Sequence, residues 1–124
     1  MIEITGEVKF SGNSAPESIP PNSHLIVKFQ DVSLMDAPSV RLGETQVDVT
    51  NYKKGEALMY SIKCPMPSVI APDYSVSAVL NIGWEPDADS WIRKGDYLTD
   101  TMHPVHLVEG VNVYKVDVEL VKCE

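Results

Sequence analysis

The chain has 124 residues, of which 44% are hydrophobic, and 18 acidic against 10 basic side chains give it a formal charge of -8. That length suits one domain, residues 1–124, with a hydrophobic core of its own. The acidic balance argues against nucleic acid as a partner, because phosphates are bound by Lys and Arg. No stretch approaches the roughly 20 apolar residues of a transmembrane helix.

Alternating apolar and polar residues predict about seven strands. The first is Ile2 to Phe10, where Gly6 leaves a gap on the buried face and indicates a bulge. The stretch from His24 to Val49 holds two strands around a turn. The remaining predicted strands are Leu58 to Cys64, Asp73 to Ile82, Asp96 to Val105 and Val111 to Lys122.

Long loops separate several of these strands, and no segment has a helical period. Residues 11–23 and 83–95 are rich in Pro, Gly, Ser and Asp, which is typical of exposed connections rather than tight hairpins. Seven strands at such spacing predict an all-β fold, a single antiparallel β-sandwich of the immunoglobulin-like type.

Two tryptophans in the second long loop are the first candidate for a binding site. Trp84 and Trp91 stand among Glu85, Asp87 and Asp89, and a Trp ring offers a large rigid apolar face to a protein or a sugar. The other interpretation is that both rings fold back and cap an open end of the sandwich. We place partner binding at Trp84 and Trp91 as a hypothesis.

A second candidate is the turn between the two central strands, which carries Asp31 and Asp36 before Pro38. Such carboxylates ordinarily cap backbone N–H groups of a turn. Beside a cleft they would also form part of a partner-binding surface, and we include both residues in the predicted site.

Acidic residues also suggest calcium, since Asp87, Asp89, Asp96 and Asp100 offer oxygen ligands. Their spacing does not match an EF-hand loop, and a solvated acidic loop is the simpler interpretation. We find no nucleophile motif, zinc-protease motif or phosphate loop. The sequence therefore favours a protein without catalytic residues, metal or cofactor.

Several segments resemble a known family. They are ITGEVKF at Ile4–Phe10, IPPNSHLIVKFQDVSLMDAP at Ile19–Pro38, the alternation of Tyr74, Val76 and Ala78, and TDTMHPV at Thr99–Val105. Together they are similar to the YbaY/YscW family of small bacterial envelope lipoproteins, which includes chaperones, or pilotins, of type III secretion secretins. The DVSL-x-DAP stretch is the specific part of this resemblance.

The resemblance implies a chaperone-like module that binds a protein partner and resides in the bacterial envelope or is secreted. The N-terminus, however, has no apolar leader and no lipid-anchor Cys, which leaves a soluble, cytoplasmic location open. Two rival functions also remain. One is a carbohydrate- or calcium-binding module using the Trp84–Trp91 loop, and the other is a structural domain that forms a homodimer.

Overall fold

The computed structural model describes residues 1–33 and 39–124, and these form an all-β structure. Nine strands occur in these ranges, and no helix long and apolar enough to cross a membrane is found there. The strands are β1 (Ile2–Phe10), β2 (His24–Asp31), β3 (Val40–Val47), β4 (Leu58–Cys64), β5 (Tyr74–Asn81), β6 (Tyr97–Leu98), β7 (Pro104–Val105), β8 (Val113–Lys115) and β9 (Val118–Lys122).

Hydrogen bonds join the strands into one sheet in the order β3-β2-β5-β6-β9-β1-β4, with β7 beside β5 and β8 beside β1. The outer strands β3 and β4 pack against each other, so the sheet is nearly closed. Their approach is tight at Gly43, where a Cβ atom would lie 2.6 Å from Cγ2 of Ile62. A larger residue at this position would push the two strands apart.

The predicted all-β class is confirmed, but the strictly antiparallel arrangement of about seven strands is wrong. Strand β1 runs parallel to both β8 and β9, so the sheet is mixed. Hydrogen bonds continue from β5 through β6 to β9 and then to β1, which gives a barrel-like sheet rather than two separate antiparallel layers. The predicted immunoglobulin-like sandwich is therefore not confirmed.

The core comes from the inward positions of the long strands. Side chains at alternate positions of β1, β2 and β5 are fully or almost fully buried, as the period-2 pattern predicts. Phe29 at its centre stacks on Tyr74 with 5.5 Å between ring centroids. The largest completely buried apolar side chains are Phe29, Ile4, Leu25, Leu80, Leu120, Val8, Val27 and Val76.

Gly6 explains why the predicted last strand is divided into β8 and β9. A Cβ atom there would lie 2.0 Å from the carbonyl oxygen of Val116, so only glycine lets the two backbones approach this closely. Val116 N donates to Thr5 O at 2.8 Å, and Glu7 N donates to Oδ1 of Asp117 at 2.9 Å. The side-chain bond replaces a ladder bond and interrupts the strand.

The predicted strand from Asp96 to Val105 is also divided, because only its ends pair regularly. Strands β6 and β7 have two residues each. Between them the chain follows β5 through single bonds, from Thr99 N to Ala78 O and from Val76 N to His103 O, both 3.0 Å.

The two opposite ends of the barrel differ in the segments they carry. Residues 83–95, the tryptophan loop, leave the end of β5 at Asn81, next to the start of β2 at His24. The other end, the N-terminal pole, holds the start of β1 and the loops 65–73 and 106–112. These loops meet there because Ile2 pairs with Cys64 and Tyr74 pairs with Val105.

Both cysteines are free thiols. Cys64 is buried at the end of β4, and burial raises the pKa of its thiol. Such a thiol is a poor nucleophile, because the reactive thiolate is disfavoured.

Candidate binding groove

The tryptophan loop is fixed by one buried carboxylate, that of Asp96, which is only 2% exposed. Its oxygens accept hydrogen bonds from the backbone N–H of Ile82 at 2.9 Å and that of Arg93 at 2.8 Å. Nε1 of Trp84 donates at 2.9 Å and Nδ2 of Asn81 at 3.2 Å. Four donors from both ends of the loop therefore meet one charged acceptor, and such charge-assisted bonds are the strong ones.

Trp84 is thereby a structural residue of the loop. Besides its bond to Asp96, its ring lies under the guanidinium of Arg93, whose Cζ is 3.8 Å from the ring centroid. A cation at this distance is attracted to the ring face. One face of the Trp84 ring is therefore occupied by the protein itself.

Trp91 has a different environment, since 56% of it is exposed. Its backbone is held, because its carbonyl oxygen accepts from Nδ2 of buried Asn81 at 2.9 Å. The preceding turn is closed by Asp87, whose Oδ1 accepts from the N–H groups of Asp89 and Ser90, both at 2.9 Å. The loop thus presents an exposed indole ring on a fixed backbone.

This ring lies at one end of an open groove of about 450 Å³ on the outer face of β2, β3 and β5. The floor is formed by outward-pointing side chains of the three strands, and the tryptophan loop forms one wall. Its apolar lining comes from Ile26, Ala78, Val79, Pro86 and Trp91, and its polar lining includes Lys28, Gln30, Glu44, Ser77 and Asp87.

Strand register explains the chemistry of the floor. Ile26 lies opposite Val79 across β2 and β5, and this apolar pair lines the same groove as the Trp91 ring. Lys28 lies opposite Glu44 across β2 and β3. The groove therefore combines an apolar end with a polar end carrying both charges, a combination typical of sites that orient a bound segment.

The two predicted halves of the site do not meet. Asp31 lies at the N-terminal pole, seven residues along β2 from His24, which is about 24 Å from the tryptophan loop at 3.4 Å per residue. The Asp31 side chain caps the backbone of the turn that follows β2, because its Oδ1 accepts a hydrogen bond from Ser33 N at 2.9 Å. Hydrogen bonds from the Ser33 hydroxyl and backbone lower the pKa of Asp31. Asp36 lies outside the described residues.

The calcium and carbohydrate alternatives are not supported by this geometry. Asp96 gives its oxygens to protein donors, and within residues 1–33 and 39–124 no group of three His, Cys, Asp or Glu side chains is placed to hold a metal. Trp84 is covered by Arg93, so the two tryptophans do not form a joint stacking surface.

Residue patterns identified the loop but not the groove. The signal that was missed is Val79, an apolar residue on the face of β5 that otherwise carries Ser75, Ser77 and Asn81. With Ile26 on the same outer face of β2, it makes an outward apolar pair. The hydrogen bonds of Asp96 could not be predicted from neighbouring residues, because its donors come together only when the loop folds back.

Comparisons with known proteins agree with this architecture. The family model described as type III secretion system lipoprotein chaperone (YscW) matches residues 1–82. A structure of an alternative pilotin from the type II secretion system of Vibrio cholerae is similar over 98% of this chain and 96% of that one. Its TM-score is 0.69 at 25% sequence identity. No curated protein matches the sequence. The family model and the pilotin structure offer no support for a homodimer.

Proposed function

The chain belongs to the type III secretion system lipoprotein chaperone family, and we propose that it is a non-catalytic, pilotin-like module of the bacterial envelope. It holds a segment of a partner protein in the groove beside Trp91. The partner is a component of a secretion system, as the family description and the pilotin of similar structure suggest.

The observation that carries this proposal is the contrast between the two tryptophans. Trp84 is held by Asp96 and Arg93, whereas Trp91 is 56% exposed at the mouth of the groove. An exposed tryptophan on a fixed backbone loses little conformational freedom on binding, which is why such residues dominate binding energies at interfaces.

The size and lining of the groove define the kind of segment it suits. A volume of about 450 Å³ accommodates a few side chains rather than a folded domain. The apolar pair of Ile26 and Val79 suits a bulky apolar side chain of the partner. Lys28 and Glu44 offer charged groups to the polar side chains that follow it.

Affinity capture from an envelope extract of the source organism tests the proposal. Wild-type protein is compared with Trp91→Ala and with Met59→Ala as the matched control, because Met59 is 62% exposed on β4 and lies outside the groove. Captured proteins are identified by mass spectrometry, and the affinity of the purified partner is then measured.

We expect Trp91→Ala to weaken binding at least about tenfold, since removal of an interfacial tryptophan commonly costs about 2 kcal/mol or more. Met59→Ala should bind like the wild type. Equal binding by all three proteins would show that the groove does not hold the partner.

A further inference from the structure

Exposed apolar side chains are concentrated at the N-terminal pole, the end of the barrel opposite the tryptophan loop. Ten large hydrophobic residues are exposed in the described part of the chain, and seven of them lie at this pole or directly beside it. Val69 is the most exposed of all, at 80%. The seven are Met1, Val40, Val69, Ile70, Val108, Val111 and Val113.

The two loops of this pole are also poor in charge, although the chain as a whole is strongly acidic. Residues 65–73, PMPSVIAPD, contain only Asp73 at their end, and residues 106–112, HLVEGVN, contain Glu109 and the titratable His106. A contiguous exposed apolar patch is unusual on a soluble surface and marks a contact with another apolar phase or molecule.

The apolar side chains are held in place rather than buried against each other. The hydroxyl of Tyr114 bonds to Val108 N and O and to Val111 O, all at 3.0 Å, and so fixes the turn that presents both valines. The hydroxyl of Tyr74 accepts from Ala71 N at 2.8 Å, next to Ile70. Both loops are therefore anchored by a tyrosine while their apolar tips face outward.

We propose that the N-terminal pole rests on the surface of a neutral phospholipid bilayer and inserts the apolar tips of its two loops. Family membership supplies a lipoprotein context, and any segment preceding Met1 leaves the barrel at this pole, since Ile2 begins β1 there. A lipid attached to such a segment would bring this end against the membrane. The low charge of the loops favours insertion, because charged groups are costly in the bilayer.

This orientation has a consequence for the groove. Trp91 lies at the far end of the barrel, about 24 Å along the strands from the pole, so the tryptophan end of the groove would be held away from the membrane surface. The bilayer contact uses none of the residues that line the groove. A mutation that abolishes the bilayer contact should therefore leave partner binding in the groove intact, and the reverse should also hold.

Depth-dependent fluorescence quenching tests the proposal on the full chain. An N-terminal histidine tag tethers the protein to nickel-chelating lipid in phosphatidylcholine vesicles, with or without brominated acyl chains. An environment-sensitive dye is attached at Val69→Cys or, as the control, at Met59→Cys, which lies on β4 opposite Glu7. Both variants carry Cys123→Ser, and Cys64 is buried and does not compete for the dye.

We expect the dye at position 69 to shift to the blue on tethering and to be quenched at least about threefold more than the dye at position 59. Adding Val108→Asp should abolish that difference, because a carboxylate opposes insertion. Equal quenching at the two positions would overturn the proposal. If quenching is equal at the two positions and the Val108→Asp variant also fails to capture the partner protein, the pole would be assigned to a protein contact instead.

Discussion

Replacing Asp96 by Asn keeps the shape of the side chain but turns one acceptor into a donor. One carboxylate oxygen accepts from Ile82 N, the other from Arg93 N, and Nε1 of Trp84 lies within 3.2 Å of both. The less costly orientation of Asn points its NH₂ at the N–H of Ile82. That leaves a donor unsatisfied, at about 1–3 kcal/mol, and the remaining bonds lose their charge assistance. We expect Asp96→Asn to cost about 3 kcal/mol in total.

Urea and thermal unfolding measure this loss. With an unfolding entropy of about 2.1 cal/mol/K per residue, the loss corresponds to a decrease in Tm of about 11 °C for a chain of this length. Asp87→Asn is the matched control, because an Asn oxygen still accepts from Asp89 N and Ser90 N at the exposed turn. A difference below about 1 kcal/mol between the two variants would refute the idea that Asp96 holds the loop.

Three further changes test the region where β8 and β9 meet β1. Gly6→Ala should cost about 3 kcal/mol, because its Cβ would meet the Val116 carbonyl at 2.0 Å; unfolding by urea at an unchanged midpoint would contradict this. Tyr60→Phe removes the hydroxyl that donates to the same carbonyl, and calorimetry should show a loss of about 1 kcal/mol. The hydrogen bond from Glu7 N lowers the pKa of Asp117. Its stabilisation is therefore present above the unfolded-state pKa near about 3.9 and is lost as pH falls through the lower folded-state value. Asp117→Asn should be less stable than the wild type at about pH 7, and the difference should shrink as pH falls below about 3.9; a difference that stays constant over this range would argue against the carboxylate.

Much of the fold follows from local pattern. The strand Ile2–Phe10 was predicted with its observed bounds, and Asp73–Ile82 differs from β5 by one residue at each end. Period-2 alternation is strong in these segments because one face of each strand is buried. Gly6 also gave a local signal of irregular pairing, and the structure shows the backbone contact that requires it.

Pairing between distant strands could not be predicted in the same way. The parallel approach of β9 to β1 joins Val118 to Val8, residues more than a hundred positions apart. Alternation indicates which face of a strand is buried but not which strand is its neighbour. The division of the last strand depends on that neighbour, so it was missed too.

The candidate site was predicted only in part for a similar reason. The sequence indicated that Trp84 and Trp91 belong to one loop, but their different environments depend on Asp96, which reaches back to Ile82 and Arg93. Fixed hydrogen bonds, rather than residue type, leave one ring covered and the other exposed. Asp31 was grouped with the tryptophans although β2 separates them along its whole length.

Site-specific photo-crosslinking in the source organism tests most directly whether a partner lies in the groove. A benzophenone amino acid replaces Trp91 in one strain and Met59, which is exposed on β4, in a control strain. The proposed function predicts a crosslink to a secretion-system protein from position 91 and none to that protein from position 59. A crosslink to that protein from position 59 alone would contradict it and place the partner on another face of the barrel.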